Sequence, residues 1–511
     1  MKLNSLRRAL SNAACAMCLV AAGSAFAQSP APVFPDKEWK RATPEEMGMD
    51  PRALATLVEF GGNVQMDSLF VTRWGRVVAE TYYAPFQPGM KHRVNSSTKA
   101  VVGALAGIAA GQGVLEVNAP VLSFYKDRTI ASLDDAKRAM TVQQLLDMTS
   151  GLAWVEPLTE NPVNESLIGL ERSRDWQQYV LDRPMAQAPG AGFHYNSGNS
   201  LLASAIVGRT TGMPTRDFAA KNLFAPIGIR DFRWRQDPQG VAIGGWGLYL
   251  QTQDMARFGL LYMNHGAWNG AQVVPRAWAD KVFNAKVTMF PTGGWVYGDG
   301  WWTLPKRGAY LAVGFNRQLI IVMPEIGIVA AVTGRTNYPV ENLIDHLARA
   351  AKSATPLPAD AQAQSALQAA VDAAAAGKPL FAAATAPAIA QEINGKTYGF
   401  PPNEWGWKEL TLHLGATPTF DLVVFTSRTS DATQRVSLPL GMDGKFAMGT
   451  TPEGLTAIQA GWTDASTLTA VLRVPEEGVD RKYELRFSGS RVEMTLTNSV
   501  GNKSSFSGQA R

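Results

Sequence analysis

Past its first 27 residues the chain has no cysteine, since Cys15 and Cys18 both fall inside that leader. This excludes disulfides, thiol catalysis and cysteine–zinc sites from the remainder. Histidine is scarce: there are five, no two share a His-x-x-x-His spacing, and they form no metal constellation. Charge of one sign is lacking too. The 48 Lys and Arg against 43 Asp and Glu reduce to a net charge near +2 once the three basic residues of the leader are set aside. Such a balance gives no reason to expect nucleic acid or an anionic membrane as partner. No apolar run beyond the leader is long enough for a transmembrane anchor. There is no short internal repeat. Gly-x-Ser-x-Gly is also missing, which removes the α/β-hydrolase elbow as a route to a serine nucleophile.

The leader, residues 1–27, reads as a signal peptide. Lys2, Arg7 and Arg8 form a basic end, Ala13 to Ala22 an apolar centre, and Ala25-Phe26-Ala27 a small-x-small cleavage site, so a periplasmic or secreted protein starting at Gln28 is expected. The rest has an ordinary globular composition, 46% hydrophobic with 47 glycines and 14 tryptophans, and its length suggests more than one domain.

The most informative stretch is His92-Arg93-Val94-Asn95-Ser96-Ser97-Thr98-Lys99-Ala100, followed by the apolar run Val101 to Ala110. A short extended segment delivers Ser96 to the mouth of a helix apolar enough to be buried on all sides, reaching Gly111 and Gly113. Lys99 lies one turn on, on the same face, within reach of the Ser96 hydroxyl. This is the arrangement a serine nucleophile with a lysine base requires. The helix N-terminus favours an oxyanion at Ser96 and disfavours the ammonium form of Lys99. Ser-x-x-Lys alone is a weak signal, and Ser123-Phe124-Tyr125-Lys126 repeats it without opening a long apolar helix. The ordinary alternative for Ser96 is an N-capping serine.

Upstream, Pro51 to Phe60 is helix-like. Asp67 to Arg73 and Arg76 to Tyr83 are β-rich and joined by the two-residue turn Trp74-Gly75. Downstream, Thr141 and Gln144 form a capping box for a helix that Gly151 is expected to stop. In Phe193-His194-Tyr195-Asn196-Ser197, a tyrosine in a polar turn precedes an apolar helix, Leu201 to Val207, ending at Gly212. Strands at Tyr310 to Leu311, Gln318 to Met323 and Gly327 to Thr333, then a helix at Glu341 to Lys352, close the unit. Strands at both ends with helices between predict an antiparallel sheet carrying an inserted helical region, with Ser96 in the cleft at their junction.

In this order, the segments Asn95-Ser96-Ser97-Thr98-Lys99, Leu145 to Leu152, Tyr195-Asn196-Ser197, Gly245-Trp246-Gly247-Leu248 and Gly314 to Pro324 resemble the serine β-lactamase and penicillin-binding-protein superfamily. The resemblance runs from Pro44 to Lys352 and is strongest to the class C β-lactamase-like branch with its esterases, D-amino-acid peptidases and 6-aminohexanoate-dimer hydrolases. It implies an α/β (α+β) β-lactamase/transpeptidase-like fold. It also implies Ser96 as nucleophile, with Lys99 and Tyr195 as general base and acid in an order left open, acting on a small-molecule ester or amide. An oxyanion hole is implied at the Ser96 amide and at Phe315 or Asn316 after Gly314, with Trp246 and Ser197 beside the substrate. Water resolves the acyl-enzyme, with no metal or cofactor and no obligate protein partner implied.

The chain departs from the penicillin-directed pattern at two points. Ser197 stands where those members have Asn, and Ala312 to Gln318 carries no Lys-Thr-Gly or His-x-Gly, leaving Arg317 as a substitute carboxylate clamp. Lys306-Arg307-Gly308 and His413-Leu414-Gly415 resemble the third motif but sit in the wrong places. This tilts the expectation from β-lactamase or DD-peptidase towards ester or linear-amide hydrolysis, with a non-turnover penicillin-recognising protein as the other alternative. Trp154, Trp246, Trp301 and Trp302 are candidates to wall an acyl pocket, core packing being the ordinary alternative for each. His194, beside Tyr195, is read as structural.

The expected division is a leader (1–27), a hydrolase domain (28–352), a linker with the Ala-rich helix Ala361 to Ala376 (353–390), and a C-terminal domain (391–511). From Ile393 onward seven or eight alternating segments between Gly, Asp, Asn or Pro turns predict an all-β antiparallel barrel or sandwich.

Overall fold

The computed structural model describes residues 32–158, 165–382, 385–427, 430–451, 454–499 and 501–511, so the leader lies outside it. The Trp74-Gly75 turn is present, with both residues at positive φ (51° and 77°), the conformation a two-residue hairpin needs. It joins Met66–Arg73 to Arg76–Tyr82. These open an eight-stranded antiparallel sheet. Arg76–Tyr82 lies at one edge, followed by Met66–Arg73, Ile328–Gly334, Gln318–Met323, Ala309–Gly314, Trp301–Leu304, Val296–Gly298 and Val287–Thr288.

The central strands read as unbroken apolar runs because both faces of the sheet are covered. Phe70, Ile320, Val322 and Val329 point into the core of the helical region, while Leu69, Ile321, Ala330 and Val332 point to the opposite side. There the helices Pro51–Asn63 and Val340–Ala350 contribute Leu54, Leu57, Leu343 and Leu347. On the other face Thr252–Met263 lies so close that a Cβ on Gly259 would sit 2.6 Å from Val329 Cγ1.

The Ser96 helix spans Thr98–Gly111, with 12 of its 14 residues buried. Gly103, Gly107 and Gly111, spaced along one face, let it approach other elements closely. A Cβ there would meet Asp299 O at 2.1 Å, Trp278 at 2.4 Å and Pro275 at 2.4 Å. The Thr141/Gln144 capping box is present, but its helix runs only from Val142 to Leu146 and does not reach Gly151. Met148 adopts φ 57° and Thr149 N–H bonds Gln144 O at 2.9 Å, closing the helix about one turn earlier than expected. Gly151, at φ 81°, instead passes close to Gln187 O.

Ala361–Ala376 is helical and buries Ala363 and Leu367 against the first unit. Beyond it ten strands, more than the seven or eight counted from sequence, form a second antiparallel sheet around its own core of Tyr398, Leu410, Phe420, Leu472, Leu485 and Met494. The additional strands include Thr397–Gly399 and Ala447–Thr451, too short for alternation to register. After the edge strand Ser430–Pro439 the chain bonds across to the other end of the sheet, Gly441 N–H to Ile458 O at 3.1 Å, which brings it close to a closed barrel. Among the described residues no helix is long and apolar enough to cross a membrane.

Candidate active site

Ser96 sits on a single 3-10 turn, Asn95–Ser97, at the entrance of the Thr98–Gly111 helix. The turn is tied on both sides. Ser97 Oγ donates to Gln318 O at 2.8 Å and Thr98 Oγ1 to Asn95 O at 2.7 Å. Asn95 takes φ 47°, a left-handed conformation asparagine tolerates better than most residues. Its amide donates to Phe315 O at 3.0 Å. The turn is therefore braced against the loop that leaves Ala309–Gly314.

Lys99 is 3% exposed, and its ammonium reaches three oxygens: Ser96 Oγ at 3.1 Å, Ser197 Oγ at 2.9 Å and Gly245 O at 2.9 Å. Burial pulls its pKa from 10.5 down to about 8, against the opposing pull of the Glu156 carboxylate. The Tyr195 ring lies 4.7 Å from Lys99 Nζ. Burial pushes the Tyr195 phenol well above its ordinary range and Glu156 adds to this, whereas hydrogen bonding with Ser96 acts the other way. Tyr195 is thus a neutral phenol beside the serine. His194, next to it, bonds Trp154 O through Nε2 at 2.7 Å, and its N–H reaches Met148 O at 2.7 Å, so it ties the 141–156 segment to the Tyr195 turn.

Glu156 was invisible in the sequence. Its Oε1 accepts from Ser197 Oγ at 2.6 Å, and its Oε2 accepts from Ser197 N–H at 2.8 Å and Trp154 Nε1–H at 2.7 Å. Nothing in Trp154-Val155-Glu156 marks it, because the loop is brought to the site only by tertiary packing. Ser197, expected beside the substrate, lies between Lys99 and Glu156 as well as on the cavity wall.

A cavity of about 580 Å³ opens over Ser96. Tyr195, Ser197, Trp246, Gly314, Phe315 and Arg317 line it, as sequence had suggested, together with Trp302, Phe290, Leu158 and Leu167. Asn316 is not in its lining, and its backbone N–H is taken by Asn337 Oδ1 at 3.1 Å. The backbone N–H groups of Ser96 and Phe315 have no hydrogen-bond partner among the described residues. Of the two candidates after Gly314, Phe315 is the one with a donor to give. Trp301, fully buried against Phe258 and Tyr262, is core, and Trp154 is a framework residue bonded to Glu156. Arg317 borders the cavity with its Nε bonded to Tyr338 O. Lys306–Gly308 lies on a 3-10 turn outside the cavity lining, and His413 ends a strand of the C-terminal sheet. The second Ser-x-x-Lys is on a short 3-10 turn, where exposed Ser123 caps Pro120 O.

Residues 54–355, well over half the chain, match the profile of the family described as Beta-lactamase. A 6-aminohexanoate-dimer hydrolase of Paenarthrobacter ureafaciens is 26% identical over 307 residues, covering 55% of this chain and 77% of that protein. Esterase EstB of Burkholderia gladioli is 27% identical over 155 residues, 29% of this chain and 39% of that one. Among solved structures, a Bacillus anthracis protein described under the same dimer-hydrolase name superimposes with a TM-score of 0.52 at 21% identity, over 62% of this chain and 87% of that one, a likeness of fold.

Proposed function

The chain belongs to the β-lactamase family of hydrolases, and from that premise we propose that it is an exported serine hydrolase cleaving a carboxylic ester or linear amide through a Ser96 acyl-enzyme. Export rests on the leader alone. The observation that carries the reaction is the buried Lys99 amine held 3.1 Å from Ser96 Oγ.

The polarity of the network makes Lys99 the base. Gly245 O can only accept, and Ser197 gives its single hydroxyl proton to Glu156 Oε1, so it too must accept from Lys99. A neutral amine spends both N–H bonds on these two oxygens. Its lone pair is left facing the Ser96 hydroxyl. In acylation the Ser96 Oγ–carbonyl bond forms while its proton passes to Lys99 Nζ. Tyr195, a phenol held neutral by burial, relays a proton to the leaving oxygen or nitrogen as that bond to carbon breaks. The amides of Ser96 and Phe315 receive the oxyanion. Water then attacks the ester carbon by the same route and regenerates Ser96.

The walls favour an apolar acyl group, since Trp246, Trp302, Phe290, Leu158 and Leu167 face the cavity. A fluorophosphonate probe should add once to the protein, and a p-nitrophenyl ester should turn over. Stable labelling by penicillin without ester turnover would move the reading to a penicillin-recognising protein, and no labelling by any of the three would overturn it.

Because the free amine is the active form and burial sets its pKa at about 8, kcat/KM should rise with pH and level off above that value. Glu156→Gln supplies a sharper check. The glutamine oxygen must serve the two N–H donors on Oε2, turning its NH₂ towards Ser197. Ser197 then donates to Lys99 and occupies the lone pair. We expect kcat to fall roughly 10- to 100-fold. Loss of the negative charge should also move the pH limb below that of the wild type, a shift that mere loosening of the loop does not produce.

A further inference from the structure

A hairpin of the C-terminal β domain packs against the catalytic unit. Between Thr467–Val474 and Val479–Ser488, the turn Pro475–Glu477 ends at Gly478, which has φ 62°. A side chain at Gly478 would press on His92, its Cβ 2.9 Å from His92 Cε1, so the turn sits directly on the strand Lys91–Arg93 that leads to Ser96. Ion pairs flank the contact on both sides. Arg335, 8% exposed, joins Asp67 at 2.8 Å and Asp480 at 2.6 Å, and Asp67 also meets His92 Nε2 at 3.2 Å. Glu477 accepts from Tyr249 OH at 2.5 Å through Oε1 and pairs through Oε2 with Arg93 Nη1 at 3.0 Å.

Arg93 passes the restraint onward. Its Nε donates to Asn95 Oδ1 at 2.8 Å, and Asn95 Nδ2 donates to Phe315 O at 3.0 Å. Phe315, which lines the cavity with Ser96, carries one of the two backbone amides without a hydrogen-bond partner among the described residues. The peptide unit that follows Phe315 is therefore oriented, in part, by a carboxylate from the other domain, and with it the loop that carries the Phe315 amide.

We propose that Glu477 is a positioning residue for the oxyanion site, so that the C-terminal β domain is a working part of the hydrolase, acting through Arg93, Asn95 and the Phe315 carbonyl. This rests on the Ser96 acyl-enzyme reading. Glu477 touches no reacting atom. Its carboxylate holds the Arg93 guanidinium, whose fixed fork orients the Asn95 side chain, and Asn95 must remain in its left-handed conformation to hold both the nucleophile turn and the Phe315 loop. Preorganised donors of this kind act on the transition state more than on substrate binding.

The test is a double-mutant cycle on the full chain with Glu477→Gln and Arg93→Met, measuring kcat and KM for a p-nitrophenyl ester and the thermal midpoint of each variant. Glu477→Gln is isosteric and retains a partner for Tyr249, so it removes only the charge that Arg93 and, at 3.5 Å, Arg233 share, and the Arg93→Met background separates the two. It should lower kcat about ten-fold with KM within about two-fold of wild type. In the Arg93→Met background the same substitution should change kcat less than two-fold, because the relay is already cut. Unchanged kcat in Glu477→Gln, or full multiplicative losses in the double variant, would overturn the proposal. If Glu477→Gln melts too early to assay, Arg93→Met asks the same question from the catalytic side, and an unaltered kcat there is equally fatal. Failure of the underlying reading looks different: the unmodified protein itself would neither take up fluorophosphonate nor turn over ester.

Discussion

Ser96→Ala is expected to abolish labelling by fluorophosphonate and to lower ester turnover by roughly 10⁴- to 10⁶-fold, as removal of a covalent nucleophile does elsewhere. The residue is partly exposed in the cavity, and its side chain bonds Lys99 and Tyr195. Lys99 keeps Ser197 Oγ and Gly245 O in the variant, so no buried cation is stranded. The thermal midpoint should stay within a few degrees of wild type, since each hydrogen bond lost at so open a position is worth about 1 kcal/mol. Intact mass after exposure to the probe, read beside the melting curve, separates the two quantities. A variant that melts normally and still acquires the label at Ser97 or elsewhere would remove Ser96 from its role.

Lys99→Met is expected to lower kcat roughly 10³- to 10⁴-fold while raising stability, two effects with one physical origin. A lysine that is 3% exposed, with its pKa drawn from 10.5 to about 8, is held in a place that disfavours its charge. The sign follows from proton binding. Between pH 8 and 10.5 the unfolded chain holds a proton on Lys99 that the folded chain has lost, so wild-type stability rises with pH across that window and is lowest below it. The difference between the limits is on the order of 3 kcal/mol. Methionine carries no such linkage. At pH 7 the variant should therefore melt higher than wild type, and its advantage should shrink as pH climbs from 8 towards 10.5. Denaturant unfolding at pH 7, 9 and 10.5 measures this, and an advantage that is absent or independent of pH would mean that Lys99 is not strained by burial.

How far sequence reaches in this chain depends on how local the cause is. Ser96 and Lys99 are one helical turn apart, so their contact follows from α-helix geometry alone. The Trp74-Gly75 turn, the Thr141/Gln144 capping box and the stop at Gly212 are local in the same way. Gly151 misled because a glycine after a helix is a common stop, whereas here Met148 takes the left-handed position and the glycine is needed for close approach to Gln187. Thr397–Gly399 and Ala447–Thr451 were also out of reach, because strands of three to five residues borrow their pairing from neighbours, and Lys503–Ala510 carries too few apolar residues to show alternation.

What the amino-acid sequence determined by itself was the family-level order of motifs, the serine and lysine at one helix mouth, the tyrosine ahead of a second apolar helix, and an alternating C-terminal region. Each is a pattern with a period of two or 3.6 residues, or a turn chemistry confined to a few neighbours. Only the tertiary structure decided which groups share the charge of Lys99, which amide after Gly314 is unengaged, and that Glu477 of the C-terminal domain pairs with Arg93. Glu156 is 57 residues from Lys99 in sequence and Glu477 is 384 from Arg93. Coulomb interactions and hydrogen bonds depend on distance in space and on the dielectric that burial creates, neither of which leaves a periodic trace along a chain.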